Sequence, residues 1–115
     1  MTSIEEKTYY MIPEAFCGTW TVVSYKTPDG RTGIGETKDN WQIRPQSITC
    51  GASKALVVKS VETRVEETQD LHLVSFNNNK LQFALLRSFS KPGDLLVIEY
   101  LFGEEKLRCL LSFSD

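Results

Sequence analysis

The chain has 115 residues, 41% of them hydrophobic, and a formal net charge of −2, which suits one domain with its own core and is too little for two. Its cations are scattered, as in Lys54, Lys59 and Arg64, so the clustered positive field that nucleic acid binding requires is missing. The polar, acidic opening Met1–Lys7 lacks the apolar stretch of a secretory signal, and no apolar run reaches a membrane span; no membrane span and a cytoplasmic location are expected.

In chain order, Ser3-Ile4-Glu5-Glu6 fits a capping box and predicts a short N-terminal helix or turn. Tyr9-Tyr10-Met11-Ile12 is an apolar cluster, expected to plug one end of the fold rather than bind a partner. Gly18–Lys26 carries Thr, Trp, Val and Tyr and predicts the first strand. Pro28-Asp29-Gly30 marks a turn, and the glycine-rich stretch to Gly35 predicts a flexible loop at a barrel mouth. Its Gly-Arg-Thr-Gly-Ile-Gly lacks the Lys-Ser/Thr ending of a phosphate loop.

Trp41–Arg44 and Ser47–Cys50 predict two short strands split by Pro45, and Lys54–Val65 a longer one rich in Val and Thr. Leu71–Phe76, Leu81–Phe89, Leu95–Phe102 and Lys106–Phe113 complete eight, with turn signals at Asn77-Asn78-Asn79, Lys91-Pro92-Gly93-Asp94 and Gly103-Glu104-Glu105. Leu81, Phe83, Leu85, Arg87 and Phe89 share one face of their strand, and Leu107, Cys109, Leu111 and Phe113 share one face of theirs. One-sided burial of this kind predicts an all-β, antiparallel, eight-stranded barrel over 1–115, with 1–17 capping its end.

Cys17, Cys50 and Cys109 are an odd number with no C-x-x-C pair, and His72 is the only histidine. Three buried thiols, no disulfide framework, no metal and no cofactor are expected.

The segment Phe16-Cys17-Gly18-Thr19-Trp20-Thr21-Val22-Val23-Ser24-Tyr25 resembles the start of the calycins, the superfamily of lipocalins and fatty-acid-binding proteins. They begin their first strand with Gly-x-Trp after a short turn or helix, matched here by Gly18 and Trp20. Trp41-x-Ile43 followed by Ser47-Ile48-Thr49 is similar to small bacterial lipocalin-like domains. The resemblance implies that Trp20 plugs the barrel floor and that an Arg near the C-terminus, Arg108, crosses its ring. There is no Thr-Asp-Tyr motif and no two-helix lid after the first strand.

Four residues form the candidate ligand site: Arg87, Glu99, Phe83 and Tyr25. The register set by the Pro92-Gly93 turn would place Arg87 diagonal to Glu99, as an internal anchor for a polar ligand head or as a rim ion pair. His72 beside Asp70 has the composition of a general base with its orienting carboxylate, but no nucleophile motif accompanies it; a strand histidine on the wetter face is expected. The chain is therefore expected to be non-catalytic, binding a small apolar or amphipathic ligand in the barrel. The alternative is a protein–protein interaction module, an inhibitor or assembly factor, with a filled core.

Overall fold

The structure, a computed structural model, describes residues 5–34, 40–65, 70–77, 80–87 and 93–114. Among the described residues ten strands run in order: β1 (Glu5–Tyr9), β2 (Gly18–Lys26), β3 (Thr32–Ile34), β4 (Asn40–Arg44), β5 (Ser47–Cys50), β6 (Leu56–Val65), β7 (Asp70–Phe76), β8 (Leu81–Arg87), β9 (Leu95–Leu101) and β10 (Glu104–Phe113). A single 3-10 turn, Glu14–Phe16, precedes β2. The sheet closes in the order β6-β5-β4-β2-β10-β9-β8-β7 and back to β6, an antiparallel eight-stranded barrel. No helix of the described residues is long and apolar enough to cross a membrane.

Two further strands complete lanes that the eight leave half filled. β5 pairs with β6 only at Ser47↔Val57 and Ile48↔Leu56, and β1 takes the rest of that edge, from Tyr9↔Val61 to Glu5↔Val65. The capping-box helix is thereby corrected: Glu5 and Glu6 are in a strand, while Ser3 and Ile4 lie outside the described residues. An open run of backbone donors and acceptors on β6 outweighs a weak local helix signal. In the same way β4 pairs with the first half of β2, and β3 with Ser24–Lys26. The expected loop over Gly30–Gly35 therefore contains a strand, with Gly35 outside the described residues. Gly33 has a packing reason: a Cβ there would sit 2.2 Å from the Tyr25 ring.

The interior is filled by side chains. Trp20, Phe83, Ile43, Ile48, Leu85, Leu95 and Leu111 are each almost wholly buried. Trp41 stacks on Phe83 with centroids 5.6 Å apart, and Phe76 meets Phe83 edge-on at 5.0 Å. A bulge in β2 opposite Leu110 and Leu111 shifts the alternation by one residue. Val22 and Tyr25 consequently both fall on the inner side, each opposite a buried residue, Leu111 and Cys109. A second apolar cluster lies on the outside of β7, β8 and β9, where Ala84, Leu86 and Ile98 pack with Leu71, Leu73, Leu96 and Tyr100.

The β9–β10 hairpin turns through Phe102 and Gly103, both at positive φ (53° and 81°), between the paired residues Leu101 and Glu104. This two-residue turn matches the twist of its strands but suits Asn far better than Phe. Phe102 is 74% exposed, so little packing holds it. Phe102→Asn is expected to stabilise the protein by about 0.5–1 kcal/mol, read as a higher urea midpoint with an unchanged slope.

Candidate functional site at the closed end of the barrel

The barrel end that carries the β4–β5 turn and the last residues of β10 is closed by the segment between β1 and β2. The Ile12 amide donates to the Pro45 carbonyl at 2.8 Å, tying that segment to the β4–β5 turn. Ile12 and Phe16 then bury themselves in the core cluster. Gly18 begins β2 at φ 141°, backbone that favours glycine. Trp20, 1% exposed, lies beneath; its indole N–H donates to the Phe16 carbonyl at 2.9 Å, and its ring meets Phe113 edge-on at 5.1 Å.

The cation that covers an aromatic ring at this end is Arg87, not Arg108. Its guanidinium stands 4.8 Å over the Phe16 ring, and its Nη2 donates to the Ala15 carbonyl at 3.0 Å. Arg108 is corrected to the other end of the seam, where it pairs in register with Lys26 and binds Glu105 through both Nε and Nη2. β10 runs antiparallel to β2, so Phe113 is the residue that arrives opposite Trp20, and Arg108 comes five residues too early.

His72 also belongs to this end, and its assignment to the wetter face is corrected. It is 8% exposed, opposite Thr63 on β6 and Leu85 on β8, both buried. Its Nδ1 and the Thr63 hydroxyl share a hydrogen bond of 3.0 Å, and its ring meets Phe16 edge-on at 4.9 Å. Burial pushes the imidazole below its ordinary pKa; Asp70 works the other way, and Arg87 adds to the lowering. Alternation alone pointed the wrong way because β7 is apolar outside too, through Leu71 and Leu73.

Outside this plug lies a groove of about 600 Å³ lined by Tyr9, Tyr10, Met11, Ile12, Pro13, Glu14, Thr63 and His72. Tyr9, Tyr10 and Met11 are exposed along it, at 45%, 73% and 54%. It combines apolar and aromatic walls with two convergent polar groups, the composition of small-molecule sites. A larger concavity, about 740 Å³, follows the β2–β3–β10 surface past Tyr25, Gly33, Lys26 and Arg108. Its cations are exposed, and no buried polar group converges on it.

The four residues expected to share a ligand site are not brought together. Arg87 pairs with Leu95 and Glu99 with Phe83, four rungs apart, about 13 Å along the strands. The expected diagonal contact is thus absent: the β8–β9 register differs from the one a Pro92-Gly93 turn predicts, and Pro92 itself lies outside the described residues. Phe83 is core, and Tyr25 lies over Gly33, toward the opposite end of the barrel. Glu99 is half-buried on the inner face, where burial raises its carboxyl pKa and Lys106 opposes that. Cys50 and Cys109 feel its charge, and burial pushes both thiols up to about 12. All three cysteines are unbridged, but only Cys109 is fully buried, Cys17 and Cys50 being half-buried; the Cys17 thiol too is raised by burial, with Glu14 adding to it. Such thiols stay protonated and are poor nucleophiles. Among the described residues no group of three or more His, Cys, Asp or Glu could hold a metal ion.

Compared with protein-family models, curated proteins and solved structures, the chain matches none.

Proposed function

We propose that the protein is a non-catalytic binding protein that takes a small apolar or amphipathic ligand, held in the groove at the closed end rather than inside the barrel. The observation that carries this reading is the contrast between the two spaces. The interior is packed around Trp41, Phe83 and Phe76, whereas the end groove is open, largely apolar and floored by His72 and Thr63. Eight antiparallel strands and the Gly18-Thr19-Trp20 start at the closed end support kinship with the calycins. Neutral, unbridged thiols fit a reducing cytoplasm.

The test uses 1-anilinonaphthalene-8-sulfonate as an aromatic, amphipathic probe, mapped by amide NMR. Saturable one-to-one binding is expected, with shifts centred on Tyr10, Met11, Thr63 and His72. Combined Tyr10→Ala and Met11→Ala changes are expected to weaken it about tenfold, a loss of about 1.4 kcal/mol. Shifts centred on Trp41 and Phe83 would move the ligand back into the barrel and refute the reading. The exposure of Tyr10 and Met11 favours a second reading, a protein partner seated on the same residues. Absence of any saturable small-molecule binding would select it.

A further inference from the structure

We propose that His72 makes the closed end a pH-gated plug: protonation of its imidazole releases Phe16, and with it the 3-10 turn, from the barrel end. The geometry is a clamp on one ring. His72 meets the Phe16 ring in a T-shaped contact with centroids 4.9 Å apart, and the Arg87 guanidinium lies over the same ring, 4.8 Å from its centroid. Arg87 also holds the Ala15 carbonyl. A charged imidazole places a second cation beside the same ring, on a side chain only 8% exposed. Charge in such a position is costly unless it gains a partner or reaches solvent.

The groups around His72 decide the sign. Among the described residues, β6 presents the Thr63 hydroxyl, β7 itself carries Asp70, and β8 brings Arg87. The N-terminal segment brings the Phe16 ring, with the phenols of Tyr9 and Tyr10 and the Glu14 carboxylate along the adjoining groove. Asp70 favours the charged imidazole; burial and Arg87 oppose it, and the opposition wins. The closed end therefore holds the His72 proton less tightly than water does. The stability that the neutral imidazole lends the closed end is fully present above the ordinary histidine pKa of about 6.5 and is lost as pH falls through the lowered pKa of the closed state.

The element that gives way is the cheapest one present. The turn has three residues and no side-chain cap, whereas His72 sits in a strand paired on both sides. Moving the turn exposes more of the imidazole to water without breaking a ladder. Pocket and plug share the Ile12–Glu14 stretch, so opening also dismantles the groove wall. Loss of ligand in acid would follow, and that consequence alone rests on the binding reading above.

Trp20 supplies the reporter, since its indole N–H donates to the Phe16 carbonyl. Deuterium exchange of that proton, corrected for intrinsic pH dependence, is compared at about pH 7.5 and about pH 5, either side of the histidine range. Protection is expected to fall at the lower pH, while the amides pairing β8 with β9 stay protected. His72→Gln keeps a partner for Thr63 but cannot charge, and its Trp20 protection is expected to stay flat. In the wild type, the NMR titration of the His72 ring should track the loss of Trp20 protection, which tests the gate without any variant. Equal protection at both pH values overturns the proposal. So does a loss shared by the β8–β9 amides, or an unchanged pH dependence in His72→Gln. Opening without release of the naphthalene probe would refute the binding site and leave the gate standing.

Discussion

Trp20→Ala is expected to lower the unfolding free energy by about 3–5 kcal/mol, a large share of the 5–15 kcal/mol typical of a domain. The indole is 1% exposed and does two jobs. It fills the space between Phe113 on β10 and the plug, and its N–H satisfies the Phe16 carbonyl. Truncation removes the ring from a position where β2 also pairs with Trp41, so no single neighbour can collapse into the void. Trp20→Phe separates the two contributions. It keeps most of the bulk and loses the hydrogen bond, and about 1–2 kcal/mol is expected. Urea midpoints of the two variants give the order. A Trp20→Ala loss below about 1 kcal/mol would mean that the closed end is not built on this residue.

Phe83→Ala is expected to cost a similar 3–5 kcal/mol, for a different reason. Phe83 is the middle of an aromatic stack, with Trp41 on one side and Phe76 on the other. Removing it leaves an apolar cavity in the centre of the barrel, and such cavities accept benzene. Saturating benzene is therefore expected to raise the Tm of Phe83→Ala and leave the wild type unchanged, because only the variant has the space. If benzene stabilises the wild type equally, the natural interior already has room for a guest, and the end groove loses its claim as the binding site.

Much of the fold was legible because local chemistry and tertiary role agree in the eight barrel strands. The segments Gly18–Lys26 and Ser47–Cys50 coincide with β2 and β5. Between them Pro45 and the following Gln46 turn the chain, as the sequence suggests. β1 and β3 were not legible, since neither is defined by its own residues. Each is recruited by a bare edge, on β6 or on β2, and an edge belongs to another part of the chain.

The site was legible only in pieces. Tyr9–Ile12, marked as a plug, does supply buried Ile12, but its Tyr10 and Met11 remain outside. Arg87 and His72 both stand out in the sequence, yet nothing in their spacing shows that Phe16 comes between them. That contact depends on the path of the N-terminal segment, which the tie from Ile12 to Pro45 determines. Strand adjacency alone does not place Arg108: adjacency says which strands meet, and register says which residues do.

The seam between β2 and β10 also bears on how the chain folds. β7, β8, β9 and β10 are joined as a meander, each strand pairing with the next, so their loops close cheaply. The seam instead joins Trp20 to Phe113, at opposite ends of the chain. Ordering that much chain before any contact rewards it slows the search, and topologies dominated by such pairings fold in milliseconds to seconds. Until the seam forms, β2 and β10 each offer a bare edge to other chains in the same state. Trp20 is thus placed where it closes the barrel and ends the interval in which the unfinished sheet can pair with the wrong molecule.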